Sequence, residues 1–198
     1  AATGVLLWSA DDNVFRNCVF DGAGTSALVR MAYDRLDTGN VCRNAVVTNV
    51  TGSFQTSDYG EGEEIPFTYS DFWQNAFEAP SGDGVFAADP LFADAAGGDY
   101  HIQSAAGRWD PSSAAWVNDA ATSPCVDTGD PTDDYSEEPC PNGARIDIGA
   151  YGGTAEASKG AGDPEECEDE PDAGGDADTD ADGDADGDAD GDADGDAD

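Results

Sequence analysis

The sequence predicts an all-β fold of the solenoid type, and three observations lead to this prediction. Short runs rich in β-branched and aromatic residues alternate with Gly, Asn and Asp over the first 90 residues. Apolar residues at helical spacing are not sustained anywhere in the chain. A six-residue pattern recurs at spacings of 27 and 25 residues, and periods of about 20–50 residues are typical of solenoids.

Short β-type segments follow one another along the first half of the chain. Turn-forming residues separate them, so we expect short strands joined by tight turns. The predicted strands are Gly4–Trp8, Asn13–Phe20, Ser26–Tyr33, Val41–Val50, Pro66–Trp73 and Gly84–Phe92.

The repeat predicts which positions stack on one another. In a parallel β-helix, matched positions of successive coils lie one above the next, so Phe15, Cys42 and Phe67 are expected in one interior column. Asn17 and Asn44 are expected at a tight bend, because asparagine tolerates left-handed backbone and bonds neighbouring backbone groups. The matched segments are Phe15-x-Asn17-x-x-Phe20, Cys42-x-Asn44-x-x-Val47 and, more weakly, Phe67-x-Tyr69-x-x-Phe72.

Prolines change the character of the chain after Asp89. Six prolines between residues 90 and 141 interrupt any long ladder, because proline cannot donate a hydrogen bond to it. We therefore expect irregular strands and loops that cover the last coil, since an open solenoid end exposes apolar interior and unpaired edges. The predicted core of this cap contains Leu91, Phe92, Tyr100, Ile102, Trp109, Trp116, Val126, Ile146 and Ile148.

Three motifs follow in order: Asp89-Pro90-Leu91-Phe92, Ser123-Pro124-Cys125-Val126-Asp127 and Ile148-Gly149-Ala150-Tyr151-Gly152-Gly153. Together they resemble the C-terminal end of secreted bacterial right-handed parallel β-helix proteins of the choice-of-anchor type. The resemblance implies terminal coils over residues 1–88, a cap over 89–159, and a secreted, cell-surface or outer-membrane location. The N-terminus lacks a signal peptide, so we expect a piece of a longer secreted protein whose leader lies upstream.

The chain is strongly acidic, with a formal net charge of −37. The last 36 residues hold 19 of the 44 acidic groups and no lysine or arginine, which leaves residues 1–162 with a net charge of −18. Such a field repels nucleic acid, so we expect no nucleic-acid partner.

No apolar run is long enough for a transmembrane segment. Residues 160–198 bury too little to fold, and they resemble the disordered acidic spacers of secreted bacterial proteins.

The Asp-Ala-Asp-Gly repeats of this tail are candidate calcium ligands. Carboxylates at alternate positions before Gly183 match the start of a calcium loop. Ala189 stands where an EF-hand needs a bidentate glutamate, so we predict weak binding only, with a purely solvated spacer as the alternative. The candidate ligands are Asp178, Asp180, Asp182 and Asp184.

Few residues suit catalysis. Asp34, Arg35 and Asp37 are the local mix of acid and base that a lyase or hydrolase requires, with a solvated loop as the alternative interpretation. His101 is the only histidine, and the resemblance implies a structural role for it in a cap strand. Arg145 lies close to Asp147 in sequence, and we expect it to form an ion pair in the cap.

The five cysteines predict both free thiols and a disulfide. Cys18 and Cys42 do not occupy matched positions of the repeat, so we expect two buried free thiols. Cys125 and Cys140 flank a loop rich in proline and aspartate and can close it with a disulfide. The alternative is Cys140–Cys167, and an odd number leaves at least one thiol without an intramolecular partner.

These observations predict an adhesin-like extracellular or cell-surface scaffold that faces glycans and has no catalysis in these residues. One alternative is a polysaccharide lyase or glycoside hydrolase whose cleft lies mainly on upstream coils. The other is a calcium-dependent matrix component that binds calcium through the tail.

Overall fold

The computed structural model describes residues 3–8, 10–22, 27–32, 38–57 and 65–162. Within these residues the chain forms thirteen strands and one short 3₁₀ helix, Ala95–Gly97. The all-β prediction is therefore confirmed. The described part of the chain contains no helix with the length and apolar character needed to cross a membrane.

The first nine strands form three parallel sheets, and consecutive strands go to different sheets. Sheet 1 contains β1 (Thr3–Trp8), β4 (Ala27–Ala32) and β7 (Ser53–Ser57). Sheet 2 contains β2 (Val14–Arg16), β5 (Val41–Arg43) and β8 (Phe67–Thr68). Sheet 3 contains β3 (Val19–Asp21), β6 (Val46–Thr48) and β9 (Asp71–Trp73). We refer to β1–β3 as coil 1, β4–β6 as coil 2 and β7–β9 as coil 3.

The register of these sheets confirms the predicted columns. Phe15 pairs with Cys42, which pairs with Phe67. In sheet 3, Val47 pairs with Phe20 on one side and with Phe72 on the other, as the repeat predicts. Cys42 and Phe67 are buried in the apolar interior enclosed by the sheets, and Phe15 packs against it.

Left-handed residues make the bends between the strands. Asn17 and Asn44 have φ angles of 51° and 54°, and Tyr69 at the matched position of coil 3 has 45°. The bend predicted at the two asparagines is thus confirmed. A second left-handed column follows β3, β6 and β9 at Gly22, Asn49 and Gln74.

Strand boundaries differ from the prediction at several places. Asn13–Phe20 and Val41–Val50 each contain two strands, because a left-handed bend divides them. Strand β7 is polar and was not predicted; it forms because it pairs in parallel with β4. Gly84–Phe92 is not a continuous strand, since only Phe86 within it forms an isolated bridge and β10 begins at its last residue.

Residues 92–117 form two antiparallel pairs. Strand β10 (Phe92–Asp94) pairs with β11 (Asp99–Ile102), and β12 (Arg108–Asp110) pairs with β13 (Ala115–Val117). Residues 118–162 continue as turns and loops.

The C-terminal segment, residues 89–162, lies along the side of the coils rather than only over the last one. Val46 of β6 is fully buried against Ile102, Cys125 and Ile148, and Val19 of β3 packs on the same cluster. The expectation of a cap restricted to the last coil is therefore corrected. Sheet 3 presents apolar side chains outwards, and only a lateral cover buries them. The interior at coil 3 instead packs against the partly buried residues Phe77, Ala79 and Val85.

The predicted core of this segment is confirmed in part. Ile102, Val126, Ile146 and Ile148 are buried. Trp116 is 37% exposed and does not belong to the core; it packs on Trp109 at 5.6 Å between ring centroids and lies under the Lys159 ammonium. The remaining predicted residues, Leu91, Phe92, Tyr100 and Trp109, are half-buried. The boundaries 1–88, 89–159 and 160–198 remain predictions.

Candidate metal centre

The bend between sheets 2 and 3 anchors the C-terminal segment to the coils. Asn44 Oδ1 accepts a hydrogen bond from the Asp130 N–H at 2.7 Å, and its Nδ2 donates to Asp133 Oδ2 at 2.7 Å. Asn17 Nδ2 donates to the carbonyl oxygens of Asp147 and Gly149. The left-handed asparagines therefore both turn the chain and hold the segment in place.

An ion pair strengthens the same contact between the bend and the C-terminal segment. Arg43 Nη2 lies 2.7 Å from Asp133 Oδ1, and the Asp133 side chain is almost completely buried. Arg16 Nη1 lies 3.8 Å from the same carboxylate but is half exposed, so solvent weakens its contribution. Asp133 thus connects Arg16 and Arg43, which are paired in sheet 2, to the loop of residues 130–133.

Three carboxylates of the C-terminal segment lie close to one another. Asp127, Glu138 and Asp147 each place one oxygen so that the three atoms lie within 4.8 Å of one another. Glu138 is 5% exposed and Asp147 1% exposed, whereas Asp127 is half-buried. Loops rather than regular strands carry all three side chains.

Backbone N–H groups hold two of these carboxylates in position. Glu138 Oε1 accepts hydrogen bonds from the N–H groups of Asp147 at 2.9 Å and Gly153 at 2.7 Å. Asp147 Oδ1 accepts from the Asp127 N–H at 2.8 Å, and Asp147 Oδ2 accepts from the Ser158 N–H at 3.0 Å. The trio therefore ties together three separate stretches of loop.

Two oxygens of the trio have no hydrogen-bond partner among the described residues. They are Asp127 Oδ1 and Glu138 Oε2, and both are buried. A buried polar atom without a partner is costly, so native proteins rarely leave one. Both oxygens therefore lack the partner that a buried carboxylate oxygen normally has.

Burial and mutual repulsion disfavour the ionised carboxyls. Burial raises the pKa of Asp127 to about 6. Burial, together with the charge of Asp127, raises the pKa of Glu138 to about 7. The pKa of Asp147 lies well above its usual range because of burial and the charge of Glu138. Such a site favours a compensating positive charge, either protons or a metal ion.

Two glycines make room for Asp127. A Cβ at Gly143 or at Gly160 would collide with the Asp127 carboxylate, and Gly143 also has a φ of 55°. Asp127 itself adopts a left-handed φ of 54°. The loop is therefore closely fitted around this side chain.

Comparison with known proteins now identifies the group to which the chain is related. The family model described as disaggregatase related matches residues 1–129, more than half of the chain. The chain belongs to the disaggregatase-related family. The disaggregatase-related family is known from surface or secreted-type proteins. No curated protein and no solved structure matches the chain.

The match to the disaggregatase-related family covers the three coils and ends just after Asp127. It therefore includes the first residue of the trio, and Glu138 and Asp147 follow it. The comparisons show this family and not the choice-of-anchor type that the sequence motifs resemble.

The candidate sites predicted from sequence lie elsewhere. Asp34, Arg35 and Asp37 are outside the described residues, and so are Asp178, Asp180, Asp182 and Asp184. Both predictions stay predictions. The trio was not predicted, because its members are 11 and 9 residues apart in loops and follow no ligand spacing. The available signal was the presence of Asp127 and Asp147 within or beside two of the three sequence motifs.

Among the described residues, the ion pair expected for Arg145 in the cap is not formed with Asp147. Arg145 Nε donates to the Gly129 carbonyl oxygen at 2.5 Å, and its guanidinium lies 5.5 Å from the centre of the Tyr69 ring. The Asp147 side chain instead lies beside the carboxyls of Asp127 and Glu138 and accepts hydrogen bonds from the Asp127 and Ser158 N–H groups. The short separation in sequence between Arg145 and Asp147 therefore did not indicate a contact.

His101 is buried in a polar and aromatic cage. Its Nδ1 lies 2.6 Å from Asp99 Oδ1, and its ring stacks on Tyr151 at 3.5 Å between centroids. Glu156 approaches Nε2 at 3.4 Å. With 1% of its surface exposed, His101 packs β11 against the loop of residues 151–156.

The cysteines correct one prediction. Cys125 is a free thiol, so the predicted Cys125–Cys140 disulfide is wrong. Cys125 is fully buried, and its Sγ donates to Asp71 Oδ2 at 3.6 Å, which ties the C-terminal segment to coil 3. Cys140 is disulfide-bonded, and the alternative partner, Cys167, lies outside the described residues. Cys18 and Cys42 are free as expected, although Cys18 is only half-buried.

Proposed function

We propose that this chain is part of a right-handed parallel β-helix that serves as an extracellular or cell-surface scaffold of a bacterium. It faces glycans, and the described residues carry out no catalysis. The interleaved parallel sheets support the proposed architecture, because each coil gives one strand to each sheet. The disaggregatase-related family supports the proposed location.

The observation that carries the proposal is the use of buried acidic groups as structural ties. Asp71, Asp133, Glu138 and Asp147 are all buried. Each of them accepts hydrogen bonds that hold one stretch of chain to another. A general acid or base must reach the substrate, and these carboxyls face the protein interior.

An open groove on the surface offers a place for a glycan. It has a volume of about 460 Å³ and lies beside the bend of coil 1. Polar groups that can bond sugar hydroxyls line it, and they include Arg16, Asn17, Asp134, Glu137 and Thr154. The acidic surface repels polyuronates, so we expect neutral glycans to bind better than acidic ones.

The first test is binding. We expect Arg16→Ala to weaken binding of neutral polysaccharides by roughly tenfold, the effect of losing one charged hydrogen-bond donor. Affinity electrophoresis through gels that contain neutral or acidic polysaccharides measures the change. Val14→Ala is the matched control, because Val14 lies on the same strand, is 59% exposed and does not line the groove. Equal binding by wild type and Arg16→Ala would remove the groove from the proposal.

The second test is activity against polyuronates, followed by the ultraviolet absorbance of unsaturated sugar products, with calcium and with chelator. We expect no signal for the purified chain. A calcium-dependent signal that disappears in Arg35→Ala would contradict the scaffold proposal. Catalysis would then lie at Asp34, Arg35 and Asp37. The lyase alternative would replace the scaffold proposal.

A further inference from the structure

We propose that Asp127, Glu138 and Asp147 bind one calcium ion that joins the loops of the C-terminal segment. This inference goes beyond the scaffold role and does not depend on it. The site lies in the folded body of the chain and is distinct from the aspartates of the tail.

Geometry brings the three ligands within reach of one ion. Calcium binds carboxylate oxygens at about 2.3–2.6 Å, so oxygens around one ion lie at most about 5 Å apart. The three oxygens offered by Asp127, Glu138 and Asp147 meet this condition, since they lie within 4.8 Å of one another. They come from three stretches of loop, so one ion would bridge all of them.

The unpartnered oxygens are a second and independent observation. Glu138 is 95% buried, yet its Oε2 has no hydrogen-bond partner among the described residues, and Asp127 Oδ1 is in the same situation. The other oxygen of Glu138 is held by two backbone N–H groups. The side chain is thus fixed in place with one oxygen left over, which is the arrangement that a bound cation explains.

The donor set selects the kind of metal. All three ligands are carboxylates, and hard oxygen donors favour Ca²⁺, Mg²⁺ or Mn²⁺ over zinc. Calcium takes 6–8 oxygens in flexible geometry, whereas magnesium requires a nearly ideal octahedron. Asp127 is half-buried, so water can reach the ion from that side and complete the coordination.

The experiment compares thermal unfolding of the full chain in chelator and in calcium at pH 7.5. We expect calcium at roughly 100 times its Kd to raise the Tm by about 5–10 °C. Glu138→Gln should lose this rise. Glu137→Gln is the matched control, because it removes the same charge from an exposed neighbour, and it should keep the rise. All three proteins retain the acidic tail, so weak binding there cannot produce the difference.

Calorimetric titration gives a second readout on the same proteins. Wild type and Glu137→Gln should show one tight site above the weak binding of the tail, and Glu138→Gln should show only the weak binding. If Glu138→Gln does not fold, Asp127→Asn provides the same comparison at the half-buried ligand.

Two results would overturn the proposal. The first is a calcium-induced rise in Tm of the same size in wild type and in Glu138→Gln. The second is the absence of any calcium-induced rise in the Tm of wild type, which would leave protons, and not a metal ion, as the charge that compensates the buried carboxyls. Neither result bears on glycan binding by the groove, so the scaffold proposal stands or fails separately.

Discussion

At the scale of single residues, the bends depend on side chains that accept left-handed backbone. Asparagine does so at little cost because its amide can bond nearby backbone, whereas most other residues are strained there. Asn44 makes further use of its position, since both ends of its amide bond the loop of residues 130–133. Tyr69 occupies the matched place in coil 3 with a φ of 45°, and its ring lies beneath the Arg145 guanidinium.

Asp71 provides a pH-dependent contribution to stability. It is fully buried, its Oδ1 accepts from the Ala88 N–H, and burial raises its pKa to about 6. The folded state therefore holds a proton that the unfolded state releases near pH 4. Stability from this group is greatest below about pH 4 and is lost as the pH rises through about 6.

Asp71→Asn should remove this dependence. We expect wild type to lose roughly 2–3 kcal/mol relative to the variant between pH 4 and pH 7, the equivalent of a shift of about two pKa units. Urea unfolding in chelator at both pH values measures the difference. A wild-type curve parallel to that of Asp71→Asn across this range would show that the Asp71 carboxyl does not titrate there.

At the scale of elements, strands of two to six residues are held by stacking rather than by their own length. Strand β8 has only two residues, but Phe67 within it lies 5.5 Å from Phe54 and 5.2 Å from Phe72 between ring centroids. The same principle explains the polar strand β7, which pairs along β4. Local composition is therefore a weak guide to strand boundaries here.

The aromatic stack should contribute most of the stability at coil 3. Phe67→Ala is expected to lower the free energy of unfolding by about 3–5 kcal/mol, because it leaves a cavity in a packed interior. Val14→Ala on the exposed side of β2 should change it by less than about 0.5 kcal/mol. Equal small losses in urea unfolding would contradict the interior column.

At the scale of the whole molecule, charge repulsion opposes compactness. The net charge is −37, and residues 1–162 alone carry −18. Arg16 and Arg43 form ion pairs with Asp130 and Asp133. These pairs offset only part of the excess negative charge. Stability should therefore depend on ions in two ways, by general screening and by the proposed calcium site.

Sodium chloride separates these two effects. We expect the Tm of the chain in chelator to rise by a few degrees between about 0.05 and 0.5 M salt, because the screening length shortens several-fold over such a range. Glu138→Gln should show the same rise, since screening does not require the trio. A Tm that falls with salt would mean that attractive ion pairs outweigh the repulsion.

The repetitive part of this protein is predictable from its amino-acid sequence. The recurring pattern placed Phe15, Cys42 and Phe67 in one column and put Asn17 and Asn44 at the bends, and the sheet register agrees. It also indicated the all-β class. These features are predictable because residues one period apart pair with each other in the parallel sheets, so sequence spacing translates directly into contact.

The packing of the C-terminal segment, and the residues that it brings together, follow from the folded structure and not from any sequence pattern. The loops of this segment have no period, so nothing in the spacing of Asp127, Glu138 and Asp147 indicates that they meet, or that Cys125 faces Asp71 instead of Cys140. Those contacts arise because the apolar outer face of sheet 3 draws the loops along the side of the coils. Burial of carboxylates without their usual partners follows from that docking, and it is a property of the packed chain alone.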